Sequence, residues 1–211
     1  MWKRLSPRTE FLIVSLLCFG PFAARSIVEL TERKTLLLFN DRRALFILGV
    51  ELVAGTLALL LLRARGWTAS EFGLRISPGQ TIGGVLLLLG TDMMRTILML
   101  SAPGASAATD VQVQLTWPVL IALTAINPLY DELFGVAYVV RAAESNGAAC
   151  AITLSAAIRF ICHLEQGPIA ALTILPLGLL FATVYWKWRV VWPLILAHAV
   201  MDFAGLMPGV K

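Results

Sequence analysis

Long apolar runs separated by short basic or polar clusters mark this chain from end to end. A helix needs about 20 mostly apolar residues to cross a hydrocarbon core, so runs of that length predict transmembrane helices. Seven spans are expected. The first covers about 10–30 and is bent or broken at Gly20-Pro21, the second covers 44–62 and the third 81–100. The fourth is 117–141, the fifth 148–164, and the sixth follows a tight reversal at Gln166-Gly167-Pro168 and ends at Trp186-Lys187-Trp188. The last is 190–206. The connection 63–78 carries Trp67 and Phe72, side chains suited to the headgroup layer. The stretch 101–116, rich in Gly, Ala, Ser and Pro, reads as a loop, and Ser145-Asn146-Gly147 as a turn. The expected fold is therefore all-α, a polytopic transmembrane bundle of about seven to eight helices. No internal repeat or low-complexity tract divides it. One membrane domain, 1–211, is the simplest partition, with supporting spans in 1–115 and a functional core in 116–211.

Composition agrees with the pattern. Hydrophobic residues make up 58% of the 211 and charged residues 14%, against about 25% charged in an ordinary soluble domain, so a water-facing surface is missing. The formal charge of +4 does not point to nucleic acid, because the basic residues sit at the edges of apolar runs: Lys3, Arg4 and Arg8, then Arg33/Lys34, Arg42/Arg43, Arg63/Arg65 and Lys187/Arg189. That distribution reads as interfacial anchoring and topology signalling. A cytoplasmic N-terminus places Lys3, Arg4, Arg8, Arg63, Arg65, Arg75, Arg141, Lys187 and Arg189 inside, and only Arg33, Lys34, Arg42, Arg43 and Lys211 outside. The positive-inside rule thus favours an N-in, C-out orientation. The N-terminal apolar stretch lacks a clear small-x-small cleavage site and reads as a retained span. Cys18, Cys150 and Cys162 lie far apart in apolar segments, as small packing residues do.

Chemistry enters with the ionisable residues inside the spans, since charge at membrane depth is costly and marks function or pairing. They are Asp92 and Arg95, Asp131 and Glu132, Arg159 and His163, and His198 and Asp202. Asp92 and Arg95 are three apart and are expected to pair with each other. Asn127-Pro128 reads as an N-cap followed by a first helical residue, so a new helix is expected to start at mid-depth. Asp131 and Glu132 then fall in its first turns, where the helix dipole favours negative charge. Two adjacent carboxylates also perturb each other, which suits general acid–base work; a buried pair tied to arginines is the plainer reading. Arg159 and His163 share a helix face, as do His198 and Asp202. Together these side chains supply a base, two imidazoles and a neutralising cation. H-E-x-x-H and G-x-S-x-G are both absent, so neither a zincin nor a serine mechanism is supported.

The order of these motifs resembles the CPBP family, the membrane proteins that include type II CAAX prenyl endopeptidases and bacteriocin-processing or abortive-infection proteins. That family carries E-E-x-x-x-R, then F-x-x-x-H, then H-x-x-x-N/D, each on a separate membrane helix. The matching stretches here are Asn127-Pro128-Leu129-Tyr130-Asp131-Glu132-Leu133-Phe134, then 155–163 ending in His163, then His198-Ala199-Val200-Met201-Asp202. Two departures stand out. Asp131 replaces the first Glu, one methylene shorter, and near-attack geometry is demanding. Val136 stands where the motif has Arg, while Arg159 stands where the second motif has Phe, so the two changes are read as compensating.

The resemblance implies an intramembrane endopeptidase, a hydrolase cleaving a peptide bond at or in the bilayer of the bacterial inner (plasma) membrane. Asp131, with Glu132, would be the general base toward a water also held by His163. His198 would be general acid or oxyanion stabiliser, and Asp202 would orient it or, only if protonated, donate to the oxyanion. Arg159 is the charge partner. No cofactor is required by the sequence; a divalent ion on His163 and His198 stays open, though no spacing demands one. Partners are the bilayer and a membrane-associated protein or peptide substrate, with a membrane-protein complex also open. Prenylated C-terminal peptides, leader peptides and sorting-signal tails are all compatible. The rival reading is a catalytically silent homologue that acts as a membrane scaffold. A small proton-relay transporter ranks third, because no inverted repeat is visible.

Overall fold

The computed structural model describes residues 5–32, 36–101, 110–166 and 168–210. Lys3, Arg4, Arg33, Lys34, Gly167, Lys211 and residues 102–109 of the 101–116 loop lie outside these. Helix α1 (Pro7–Thr31) starts where Ser6 caps it: the Thr9 amide donates to the Ser6 hydroxyl at 3.1 Å and Pro7 takes the first helical position. It continues through Gly20 and Pro21 without the expected break. Within an apolar bundle, neighbouring helices compensate for the one amide that a proline removes. Helix α2 is Asp41–Ala64 and α3 is Pro78–Ser101. Helix α4 (Trp117–Tyr130) passes without interruption into a π-helical segment, Asp131–Tyr138, and a closing α-turn, α5 (Val139–Ala142). Then come α6 (Ala148–Cys162), α7 (Pro168–Trp188) and α8 (Trp192–Leu206). The protein is an all-α helical membrane bundle.

Among the described residues three helices are long and apolar enough to cross a membrane: Pro7–Thr31, Asp41–Ala64 and Trp117–Ala142. Ala148–Cys162 and Trp192–Leu206 are apolar but shorter, and each of the seven expected apolar segments is helical. The outward faces carry Leu16, Val53, Leu60, Leu86 and Leu89, all well exposed, as a lipid-facing surface requires. Inside, Phe134, Tyr138, Phe181 and Tyr185 are almost completely buried and join α1, α2, the π segment and α7 into one core. Helices α3 and α8 approach closely at Gly84, where an added Cβ would lie 3.0 Å from Leu196 Cδ2 and 3.1 Å from the Pro193 carbonyl.

Two features were not expected. The connection 63–78 folds inward: Phe72 is buried, Trp67 packs 5.3 Å from Phe72 and 5.1 Å from Tyr138 between ring centroids, and its indole N–H donates to Glu10 at 3.1 Å. These rings serve the core instead of the headgroup layer. Gly73 permits the fold-back, with φ +69° and the Arg189 carbonyl so close that a Cβ would meet it at 2.0 Å. The second is a parallel ribbon of β1 (Leu36–Asn40) and β2 (Asp110–Gln114), with Leu37 opposite Val111 and Phe39 opposite Val113. Leu115, just past β2, bridges to Val210. Asp41, opening α2 after β1, accepts from the backbone N–H and the hydroxyl of Thr116, both at 2.9 Å, and so fixes the start of α4 beside the ribbon.

Candidate active site

The expected helix start at Asn127-Pro128 is corrected: α4 runs straight through Pro128. Proline supplies no N–H to the carbonyl of Thr124. The ladder then widens into π geometry from Asp131 onward, a change of pitch that commonly accommodates such a local defect. Asp131 and Glu132 therefore sit in the middle of a continuous span, and the helix-dipole argument for their charge does not apply.

The two carboxylates face different surroundings. Glu132 has no measurable exposure, and its Oε1 accepts from the Arg159 guanidinium of α6 and from His198 Nδ1 of α8, the latter at 2.7 Å. Its Oε2 has no partner among the described residues. Asp131 makes no hydrogen bond or ion pair among the described residues and lines a cavity of about 80 Å³. Arg159, His163, Cys162 and Gly135 share that cavity wall. Arg159 is 8% exposed and also lies over the Phe181 ring, 5.6 Å from its centroid.

His163 ends α6. Its Nδ1 donates to the Arg159 backbone carbonyl at 2.8 Å. In the neutral ring this leaves Nε2 as an acceptor. His198 Nε2 lies 3.5 Å from Asp202 Oδ2, longer than an ordinary hydrogen bond, so that contact is electrostatic. Neither His198 nor Glu132 lines the cavity: they form a second row behind Arg159. Asp202 instead lines a larger groove of about 470 Å³ beneath the β-ribbon, with Leu37, Phe39 and Val113. Cavity and groove share Ile47 and Asn127 as wall residues.

Other expectations are corrected. Asp92 and Arg95 form no ion pair among the described residues; both are exposed on α3, and Arg95 lines the groove. Glu51, overlooked in the apolar run of α2, is 2% exposed, lines the cavity and accepts from Asn127 Nδ2 at 2.6 Å. A lone Glu in the middle of the most apolar span was itself the signal. Phe19 and Phe22 of α1 complete the wall, so the supporting half of the chain takes part in the site. Arg43 is likewise no surface anchor: its Nη2 bridges Glu29 and Glu165, each at 2.8 Å. As for a metal, both His198 nitrogens face carboxylates and His163 Nδ1 is engaged, which leaves one free imidazole nitrogen. Among the described residues no group of three or more His, Cys, Asp or Glu is arranged to hold an ion.

Compared with curated proteins and with solved structures, the chain gives no match. The family model described as type II CAAX prenyl endopeptidase Rce1-like matches residues 113–204. That stretch holds the acid pair, Arg159, both histidines and Asp202. The part of this integral membrane protein that carries the candidate site is thus similar to the Rce1-like family of membrane proteases, and the CPBP resemblance of its motifs holds.

Proposed function

We propose that the protein is an intramembrane endopeptidase in which Asp131 activates water against a peptide bond of a membrane-associated protein or peptide. The observation that carries this reading is the division of labour in the acid pair. Glu132 is held by Arg159 and His198, while Asp131 faces a cavity that His163 also lines and has no competing partner among the described residues. A cavity of about 80 Å³ has room for one or two waters, at roughly 30 Å³ each.

In the reaction, the water oxygen bonds to the scissile carbonyl carbon as one water proton passes to the Asp131 carboxylate. His163 Nε2 accepts a hydrogen bond from the other water O–H. The carbonyl π electrons move to its oxygen, and the Arg159 guanidinium, at the cavity wall, offsets that charge. Collapse of the tetrahedral species breaks the C–N bond, and the proton on Asp131 goes to the leaving amine. The products are a carboxylic acid and an amine. Glu132 and His198 fix Arg159 from behind, and Asp202 stands at the other ring nitrogen of His198.

For orientation we infer a cytoplasmic N-terminus and a bacterial inner-membrane location. Ion pairs of Arg65 with Glu10, Arg189 with Glu144 and Arg141 with Glu71 tie the start of α1 to the ends of α2, α5 and α7. Arg65, Arg141 and Arg189, all assigned to the inner side, thus gather at one end of the bundle, which supports that assignment.

The test is cleavage of a library of membrane-tethered peptides by purified protein, beside Glu132→Ala and His163→Ala. Cleavage by the wild type and its loss in both variants is expected. No cleavage above background, with activity appearing in Asp131→Glu, would show a silenced homologue acting as a scaffold.

A further inference from the structure

Asn127 precedes Asp131 by one helical turn, and Gly135 follows by another, so the three form a single stripe facing the cavity. Asn127 is only half-buried and lines both the cavity and the groove, so it stands at the passage between them. Its amide is not free to turn. Glu51 reaches across from α2 and accepts from Nδ2 at 2.6 Å. That bond takes the NH₂ end of the amide as donor and the carboxylate oxygen as acceptor. One N–H is thereby consumed, and the second N–H and Oδ1 keep a fixed direction. Glu51 is itself almost wholly buried and makes no other hydrogen bond among the described residues, its Oε2 having none. A carboxylate placed at such desolvation cost for a single bond to an amide indicates that the orientation of that amide matters.

Resting on the endopeptidase reading, we propose that Asn127, held by Glu51, is a substrate-binding donor. Its second N–H bonds the carbonyl oxygen of an extended peptide that enters from the groove, and this bond strengthens as the oxygen becomes an oxyanion. A neutral amide donates to an oxyanion without needing a proton from elsewhere. The side chain that supplies such an amide in this protein lies on the same helix as the general base, four residues before it. The ligand class is the main-chain carbonyl of an extended, largely apolar segment. The apolar side chains of Leu37, Phe39 and Val113 along the groove suit that class.

The experiment measures both binding and turnover on a membrane-tethered peptide that the wild type cleaves, or, if none is cleaved, on the tightest-binding peptide of the library. Affinity is measured in the Asp131→Ala background, where cleavage is blocked, with and without Asn127→Ala. A weakening of roughly 3- to 10-fold is expected from one lost hydrogen bond. In the otherwise wild-type protein, Asn127→Ala should lower kcat about 10²-fold with a much smaller change in KM, as for loss of an oxyanion donor. Asn127→Ser is the second variant, should the alanine protein fold poorly. Glu51→Gln still offers an acceptor to Asn127 and should keep most of the activity, whereas Glu51→Leu should behave like Asn127→Ala at an unchanged melting temperature. Affinity and kcat within twofold of the wild type in both Asn127 variants would overturn the proposal and leave the endopeptidase reading intact. Asn127-dependent binding without cleavage by any protein supports the donor role and removes the enzyme. An activity loss that merely follows a lowered melting temperature also overturns it.

Discussion

Arg159 is the residue on which the electrostatics of the site turn. Glu132 has no exposure to water, and its accepting oxygen is shared between Arg159 and His198. Removing one partner of a buried ion pair strands the other, at about 3–5 kcal/mol. Arg159→Ala should therefore cost that much stability and abolish cleavage, Arg159→Lys should be partly tolerated, and Asp92→Ala should do neither, because Asp92 is exposed and unpaired among the described residues. Thermal melting in detergent and a cleavage assay on all three variants check this; equal, small effects throughout would refute it. Asp131→Asn is the complementary case. With no bond to lose among the described residues, it should leave the melting temperature unchanged and lower kcat by about 10²–10⁴-fold. The charged members of the site were legible because each breaks an apolar run at a spacing with chemical meaning. Glu51 breaks such a run too, but it has no partner on its own helix. Its meaning appears only when α2 packs on α4 and brings Asn127 within 2.6 Å.

At the scale of elements, the π-helical segment Asp131–Tyr138 sets where the carboxylates point, and it needs support from outside its own ladder. The Ser155 hydroxyl of α6 supplies part of it by donating to the Gly135 carbonyl at 2.6 Å. Ser155→Ala leaves that carbonyl without its side-chain donor. A loss of about 1–3 kcal/mol is expected, read as a lower melting temperature, with kcat reduced more than KM because Asp131 opens the same segment. Unchanged stability and kcat would mean that the π segment holds itself. The positions of the helices were legible from apolar run length, but this change of pitch was not. Asn127-Pro128 carries the same local signal whether a helix begins there or passes through, and only packing decides. The ribbon was half legible. Val111-Gln112-Val113-Gln114 alternates as a strand does, whereas the run Leu36–Phe39 reads equally as the end of an apolar helix.

For the whole molecule, the decisive connections join the first half of the chain to the second. Arg43, at the start of α2, donates through Nη2 to Glu29 of α1 and to Glu165 just after α6, both at 2.8 Å, and Glu29 also accepts from Arg25 at 2.8 Å. With side-chain exposures of 9% for Arg43, 10% for Glu29 and 16% for Glu165, this cluster is screened little by solvent. Glu165 lies two residues beyond His163 and lines the groove, so the cluster also fixes the end of α6 relative to α1 and α2. Arg43→Met should then be destabilising, by up to about 3–5 kcal/mol, because it leaves Glu165 without its cation and Glu29 with Arg25 alone. Adding Glu29→Gln and Glu165→Gln should recover most of that loss, since neutral residues of similar shape impose no such penalty. Melting temperatures of the single and triple variants check the stability arm. If the cluster also positions the site, the triple variant should regain stability without regaining full kcat, because nothing then draws the His163 end of α6 toward α2. Full recovery of both would reduce Arg43 to a stabilising contact and leave the cavity wall to be set by packing of the core alone.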